Sequence, residues 1–412
     1  MDAASLPQSL AGVRVLDLSR VLAGPWCTQT LADLGADVIK IERPGRGDDT
    51  RGWGPPFLRD REGRETGESA YYLCANRNKR SLAVDLASPA GQALIRRLAR
   101  GCDVVVENFK VGDMARYGLD AARLRAADPR LIYCSITGYG QTGPHACRPG
   151  YDFAVQGLGG LMSVTGERDG VPGAGPQKVG VAVADLFTGM YATVAILAAL
   201  RHRDATGEGQ VIDMALLDAQ VAMLANLGSQ YLVGETVPRR MGNGHPSIVP
   251  YQAFEAADGH VILAIGNDAQ FARFCALAGH AAWADDARFA RNADRVRNRD
   301  LLVPLIAAVM RGRERRDWLA TLEAAGIPCS PVNGIDEVFA DPQVRARGMQ
   351  VAVDHPDRDA LPLVASPLRL SATPVRYRNA PPTLGQHTDE VLGEFGWSSA
   401  EIADLRAQGV IG

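Results

Sequence analysis

The sequence predicts an α/β protein with a large domain built on a parallel sheet and a second, smaller α/β domain. Over the first 140 residues, strand-like apolar runs alternate with helix-like segments. Strands that alternate with helices favour a parallel sheet with helices on both faces. The length of 412 residues exceeds that of a usual single domain, and 46% hydrophobic with 22% charged residues is typical of globular proteins.

The predicted elements follow in a regular order. A buried strand over 13–18, a helix over 26–34 and a strand over 37–41 open the chain, and further strands are predicted over 81–86, 103–106 and 131–136. Ser88 as N-cap with Pro89 behind it begins one connecting helix, and another lies near 121–127. A long apolar helix is predicted over 186–202. Because ligands bind at the carboxyl ends of parallel strands, we expect functional residues within 20–23, 42–43, 85, 107–109 and 137–140.

Composition excludes several classes of function. With 44 basic and 47 acidic residues the net charge is −3, so no overall positive field attracts nucleic acid. Seven cysteines without CxxC spacing predict neither a zinc site nor a disulfide framework and suit a reducing compartment. The longest apolar run, 190–200, is too short for a membrane span, and residues 1–8 show no targeting signal. We therefore expect a cytoplasmic protein with no metal, membrane or nucleic-acid partner.

The first predicted turn argues against a dinucleotide. Glu42 closes the second strand where a ribose-binding acid would lie, but residues 19–25 contain one glycine and a proline in place of a glycine-rich phosphate cradle. Basic residues nevertheless follow the strands, either to bind the phosphates of a ligand or as solvated surface: Arg20, Arg43, Arg77, Lys79, Arg80, Lys110, Arg116 and Arg148.

Asp185 is the strongest candidate for a catalytic residue. It follows a stretch of small apolar residues and precedes the long apolar helix. As an N-cap it would accept backbone N–H groups, which favours the ionised form. Such a residue is either a structural cap or a carboxylate nucleophile beside amides that stabilise an oxyanion. Ser19, Cys27 and Cys134 are rival nucleophiles without a hydrolase signature.

Eight segments together resemble the class III CoA-transferases, and they keep that family's order along the chain. They span residues 10–25, 35–44, 76–81, 106–109, 135–144, 150–152, 184–185 and 384–389. The loop 244–254 is most similar to the succinate–hydroxymethylglutarate (glutaryl) CoA-transferases.

This resemblance implies an architecture. A Rossmann-like large domain occupies 1–204 and is completed by 351–412, with linkers at 205–224 and 331–350 around a small domain at 225–330. Two subunits are expected to form an interlocked homodimer.

The resemblance also implies residue roles. Asp185 corresponds to the family's nucleophile, which would form an aspartyl anhydride and then an aspartyl-CoA thioester from an acyl-CoA and a carboxylic acid. Coenzyme A is then a substrate, and no cofactor or metal is needed. Contacts to CoA are expected from Val21, Leu22, Ala23, Arg43, Asn108, Phe109, Arg116 and Tyr151, and Arg148 is added because of its charge.

Departures from the family's pattern narrow the substrate. Leu22 stands where formyl-CoA transferases have glutamine, Asp152 where they have glutamate, and residues 242–246 replace their glycine-rich loop. Formate and oxalate are therefore disfavoured, and a dicarboxylate such as succinate or glutarate is favoured. Tyr151 and Asp152 are expected beside the substrate. A cation for the distal carboxylate is expected from Arg239, Arg240 or His245.

Two alternatives remain. The α-methylacyl-CoA racemases of the same family place a histidine before the aspartate at 152, where this chain has Tyr151. Tyrosine is ordinarily a poor base at neutral pH. The second alternative is a non-catalytic CoA-binding or activating subunit. The presence of Asp185 argues against it.

Overall fold

The computed structural model describes residues 8–412, in two units. The first unit runs to Gly160 and continues over Gly180–Ser229 and Arg345–Gly412; the second comprises Leu161–Val179 and Gln230–Val344. The expectation about a targeting signal falls almost wholly on residues 1–7, outside the described residues.

Thirteen strands are assigned over residues 8–412. They are β1 (Arg14–Asp17), β2 (Asp37–Glu42), β3 (Phe57–Arg59), β4 (Glu65–Ser69), β5 (Lys79–Ala83), β6 (Val104–Glu107), β7 (Ile132–Thr137), β8 (Val211–Ala215), β9 (Tyr251–Ala256), β10 (Gly259–Ala264), β11 (Cys329–Pro331), β12 (Gln350–His355) and β13 (Arg358–Val364).

Eighteen α-helices are assigned over the same residues. They are α1 (Ala23–Asp33), α2 (Ala70–Leu73), α3 (Pro89–Ala99), α4 (Asp113–Tyr117), α5 (Ala121–Ala127), α6 (Asp152–Leu158), α7 (Leu161–Val164), α8 (Val183–Thr206), α9 (Leu216–Met223), α10 (Ala225–Gly234), α11 (Asp268–Leu277), α12 (Asn292–Arg297), α13 (Arg299–Met310), α14 (Arg315–Ala324), α15 (Ile335–Ala340), α16 (Pro342–Ala346), α17 (Thr388–Glu394) and α18 (Ser399–Ala407).

A six-stranded sheet in the order β5-β2-β1-β6-β7-β8 forms the first unit, and each neighbouring pair is parallel. The strand order reverses between β1 and β6, where Leu16 is in register with Val105. The carboxyl ends of these strands diverge at such a reversal and leave a crevice for a ligand. The predicted α/β class with a parallel sheet is confirmed.

Two apolar layers cover the faces of this sheet, because successive residues of a strand point to opposite sides. Val15 lies in a cluster with Leu31 of α1 and Ile196 of α8. Its neighbour Leu16 lies in the opposite cluster with Leu94 of α3. The C-terminal segment joins that second cluster through buried side chains at Val391, Leu392, Ile402, Val410 and Ile411.

The second unit has a core of its own. Strands β9, β10 and β11 form an antiparallel sheet in the order β11-β10-β9. Buried aromatic residues of the flanking helices pack on it, including Phe271, Phe274 and Trp318.

Two features differ from the sequence-based expectation. Residues 205–224 were expected to be a linker, but they contain β8, the last strand of the six-stranded sheet, and the whole of α9. Helix α8 is longer than predicted at 24 residues, and within residues 8–412 it is the one helix long and apolar enough to cross a membrane. Its buried side chains, such as Ala192 and Ile196, belong to the core of the first unit.

Candidate active site

A cavity of about 150 Å³ lies at the reversal of strand order in the first unit. The turn after β1 and the turn after β6 form two of its walls, and the start of α8 adds Asp185. Of the sequence-predicted residues, those lining the cavity are Val21, Leu22, Ala23, Asn108, Phe109, Arg148, Tyr151 and Asp185.

Asp185 lies in the first turn of α8, but it is not the N-cap. The N-cap position is Ala182, without a side-chain bond. The carboxylate of Asp152 accepts hydrogen bonds from the amides of Ala184 at 2.8 Å and Asp185 at 3.3 Å. The expectation that Asp185 caps the helix is therefore wrong, because an acid 33 residues earlier in the chain satisfies those amides.

The protonation of Asp185 also differs from the expectation. Burial, and secondly the negative charge of Asp152, raise the pKa of Asp185 from 3.8 to about 7. Among residues 8–412 no hydrogen bond or ion pair reaches its carboxylate. Once ionised, this carboxylate is a better nucleophile than an ion-paired one, because no partner has to be displaced before it reacts.

Tight packing fixes the start of α8 against α1. A Cβ on Gly189, one turn after Asp185, would lie 2.6 Å from the carbonyl oxygen of Ala23 and 3.2 Å from the side chain of Trp26. Only glycine permits this approach. It brings Asp185 and the turn after β1 to the same cavity.

The turn after β1 is strained. Val21 has a φ of 69°, a left-handed conformation that costs a β-branched residue about 1–3 kcal/mol. Asn108 donates from Nδ2 to the carbonyl oxygen of Arg20 at 2.7 Å and accepts from the amide of Arg20 at 2.9 Å. Asp48 accepts from the amide of Val21 at 3.2 Å. Two side chains from other loops thus hold this turn.

The predicted phosphate-binding residues separate into two groups. Arg20, Lys110 and Arg148 line the cavity. The others are engaged elsewhere: Arg77 with Asp33 at 2.5 Å, Lys79 with Asp17 at 3.1 Å, and Arg80 with Asp37 at 2.7 Å. Arg43 is exposed and Arg116 pairs with Asp113 at 3.2 Å, and neither is among the residues that line this cavity.

The expected substrate cations Arg240 and His245 lie in the second unit. Arg240 forms an ion pair with Asp169 and donates to the carbonyl oxygen of Glu167 at 3.2 Å. His245 accepts from the amide of Ser247 at 3.1 Å. A separate cavity of about 290 Å³ in this unit is lined by residues that include Arg168 and Arg299, neither of which was predicted from the sequence.

The structure does not support the rival nucleophiles, the dinucleotide site or the racemase. Ser19 is buried and donates to Asp17, and burial raises the pKa of Cys27 to about 12 and that of Cys134 well above its usual value. Glu42 accepts two hydrogen bonds from Arg51, at 2.9 and 2.7 Å, so it is not free for a ribose. None of the described residues lining the cavity is a histidine, the second base that a racemase needs.

Two residues were not predicted from the sequence: Asp48, which holds the turn after β1, and Tyr71, which senses the charge of Asp185. The role of Asp48 depends on contacts across the fold, so no local pattern reveals it. Burial, and then the charge of Asp185, raise the pKa of Tyr71 to about 12, so its phenol stays protonated at neutral pH. Over residues 8–412 no cluster of three or more His, Cys, Asp or Glu is arranged to hold a metal ion.

Comparison with known proteins gives a consistent result. The sequence profile of CoA-transferase family III matches residues 10–388. A succinate–glutarate CoA-transferase of Agrobacterium fabrum is 52% identical over 386 residues, covering 94% of this chain and 95% of the relative. The human succinyl-CoA:glutarate CoA-transferase is 42% identical over 403 residues, covering 98% and 90%. A crystal structure of a CAIB/BAIF family protein from Brucella suis superposes with a TM-score of 0.85 at 48% identity, covering 94% of this chain and 99% of that one.

Proposed function

The chain belongs to CoA-transferase family III and is an enzyme that transfers CoA, and on that premise we propose that it moves CoA from succinyl-CoA to a dicarboxylate such as glutarate. The observation that carries this proposal is the free carboxylate of Asp185 in the cavity at the sheet's strand reversal. The names of the relatives at 42–52% identity support the substrate class.

The proposed reaction proceeds through covalent intermediates on Asp185. Its ionised oxygen attacks the thioester carbonyl of succinyl-CoA, a C–O bond forms, and the C–S bond breaks to release CoA thiolate. The thiolate then attacks the aspartyl carbonyl, which releases succinate and leaves an aspartyl-CoA thioester. The acceptor carboxylate attacks that thioester, and the thiolate released attacks the acceptor's carbonyl in the resulting anhydride. The products are the new CoA ester and the regenerated carboxylate of Asp185.

The surrounding residues suit these steps. Arg20, Lys110 and Arg148 line the cavity and offer positive charge to the phosphates of CoA. Arg20 also pairs with Asp49, another lining residue, at 3.1 Å. Each step exchanges one activated acyl group for another of similar energy, so catalysis depends on excluding water and stabilising oxyanions. The apolar side chains of Val21 and Leu22 serve the first of these needs.

We expect the reaction to depend on pH through Asp185. Because the pKa of the free carboxyl is about 7 and the nucleophile must be ionised, kcat/KM for succinyl-CoA should rise with pH through about 7 and then level off. Asp152→Asn removes a neighbouring negative charge but keeps an oxygen for the amide of Ala184, so it should move the midpoint to lower pH. Initial rates over about pH 5 to 9 measure both profiles, with Asp204→Asn at the far end of α8 as control. An unmoved midpoint in Asp152→Asn would contradict this electrostatic account.

We further propose that a second copy of the chain covers one face of α8. Phe187, Tyr191 and Val194 are 46%, 45% and 59% exposed in the single chain. Their spacing forms an apolar stripe along one side of the helix. This supports the homodimer that the family resemblance implies, and sedimentation of the full chain should give twice its mass of 44.0 kDa. A monomer at micromolar concentration would contradict it.

The substrate class is tested with a matched pair of acceptors. The full chain is incubated with succinyl-CoA and either glutarate or pentanoate, which has the same carbon number but no distal carboxylate. Mass spectrometry should detect glutaryl-CoA, with pentanoyl-CoA formed at least about tenfold more slowly. Equal rates would overturn the dicarboxylate assignment. Loss of α-deuterium from a 2-methylacyl-CoA without any acceptor would establish the racemase in its place.

A further inference from the structure

The turn after β1 holds Val21 in a conformation that valine by itself disfavours. Its φ of 69° places a β-branched residue in the left-handed region, which glycine adopts freely. Strained residues of this kind persist only where surrounding contacts determine the conformation, and they concentrate at functional sites. Val21 precedes Leu22 and Ala23, both of which line the cavity with Asp185.

Asn108 determines the conformation on one side of Val21. Its amide group makes two hydrogen bonds to the backbone of Arg20, one to the N–H at 2.9 Å and one from Nδ2 to the carbonyl at 2.7 Å. The carbonyl that it binds belongs to the peptide group shared by Arg20 and Val21. This side chain, from the carboxyl end of β6, therefore fixes the orientation of the peptide that enters the strained residue.

Asp48 determines the conformation on the other side. Its carboxylate accepts from the amide of Val21 at 3.2 Å and is itself held by the buried ammonium of Lys40 at 2.9 Å. Lys40 also donates to the carbonyl oxygen of Ser19 at 3.0 Å, and Thr50 donates to Asp48 from its amide and hydroxyl. The anchor is rigid because both charges are buried and paired.

We propose that Asn108 is a positioning residue of this enzyme: together with Asp48 it holds Val21 in the left-handed conformation, and this places Leu22 and Ala23 against the reacting thioester beside Asp185. The inference rests on the proposed function. In this proposal the side chain of Asn108 acts by hydrogen-bonding to the protein's own backbone. The family resemblance implies a direct contact with CoA instead.

The test is a double-mutant cycle between Asn108 and Val21. Asn108→Ala should lower kcat about 10- to 100-fold, while KM for the acceptor and the dissociation constant of CoA change less than about threefold. Val21→Gly makes the left-handed conformation accessible without help, so Asn108→Ala in the Val21→Gly background should cost less than about fivefold. Asn267→Ala removes a similar side chain-to-backbone bond, to Gln270 in the second unit, and should leave kcat unchanged.

A second measurement separates this inference from the proposed function. Amide hydrogen exchange of the ligand-free chain should become faster over residues 19–23 in Asn108→Ala, and not in Asn267→Ala. If exchange is faster in Asn108→Ala but the wild-type chain transfers no CoA, Asn108 does hold the turn and the proposed function is wrong. If the wild-type chain is active and the losses from Asn108→Ala and Val21→Gly simply multiply, the inference is overturned, and Asn108 acts by direct contact. Unchanged exchange in Asn108→Ala overturns it as well.

Discussion

Replacing Asp185 by asparagine is expected to lower the rate of CoA transfer at least about 10³-fold, because the amide cannot form the covalent intermediates. The side chain keeps its size, and no hydrogen bond of residues 8–412 is lost with its charge. The wild-type chain incubated with succinyl-CoA should carry a mass adduct on the peptide that contains Asp185, and the variant should carry none. Initial rates and peptide mass spectrometry measure the two effects.

The stability of the same variant provides an independent check. Since the pKa of Asp185 is raised from 3.8 to about 7, the folded chain retains a proton that the unfolded chain releases, so stability falls as the pH rises between these values. Asparagine has no proton to lose. Asp185→Asn should therefore melt at a higher temperature than wild type at pH 8, and the difference should vanish below about pH 4. Retained turnover in Asp185→Asn would refute its role as nucleophile, while Asp204→Asn controls for loss of an acid from the same helix.

Replacing Arg51 by leucine is expected to lower the free energy of unfolding by about 3–5 kcal/mol, because it leaves the buried carboxyl groups of Glu42 and Glu68 without their cationic partner. Arg51 binds Glu68 at 2.6 and 2.5 Å, Glu42 at 2.9 and 2.7 Å and the hydroxyl of Tyr72 at 2.6 Å. Glu42 in turn accepts from the amide of Asp48 at 2.9 Å. Denaturant unfolding of the variant and the wild-type chain measures the loss.

Arg311→Leu is the matched control for that loss. Arg311 pairs with Glu255 at 2.9 Å, but both side chains are 59% exposed. Solvent screening limits such a pair to about 1 kcal/mol or less. Equal losses in the two variants would show that burial of the Arg51 cluster contributes nothing.

The positions of five strands of the parallel sheet could be predicted because they depend on local pattern. The runs around Leu16, Ile39 and Val105 are short, apolar and bounded by turns, and all three lie in the parallel sheet. Strand β8 was missed because three of its residues, including Asp213, are not buried, and an edge strand lacks the continuous apolar pattern.

The site was predictable only in part, because its electrostatics come from pairs that are distant in the chain. Lys79 looked like a phosphate ligand, but it is buried against Asp17, 62 residues earlier. Asp185 looked like a helix cap, but Asp152 performs that role. No local pattern of charge reveals which partner a buried side chain meets. The local sequence around Asp185 left a structural cap and a nucleophile as alternatives, and the family resemblance favoured the nucleophile.

The first unit is discontinuous in sequence, so it cannot complete its fold until its last segment, Arg345–Gly412, has been translated. Strand β5 receives a hydrogen bond from the amide of His387 to Ser81, and Val84 bridges to Ile411. The ribosome therefore synthesises all of the second unit before the first has the residues it needs to close its core. We expect the nascent first unit to expose its sheet face during this interval, which makes it a client for chaperones, whereas the second unit, almost continuous over 230–344, can fold as it emerges.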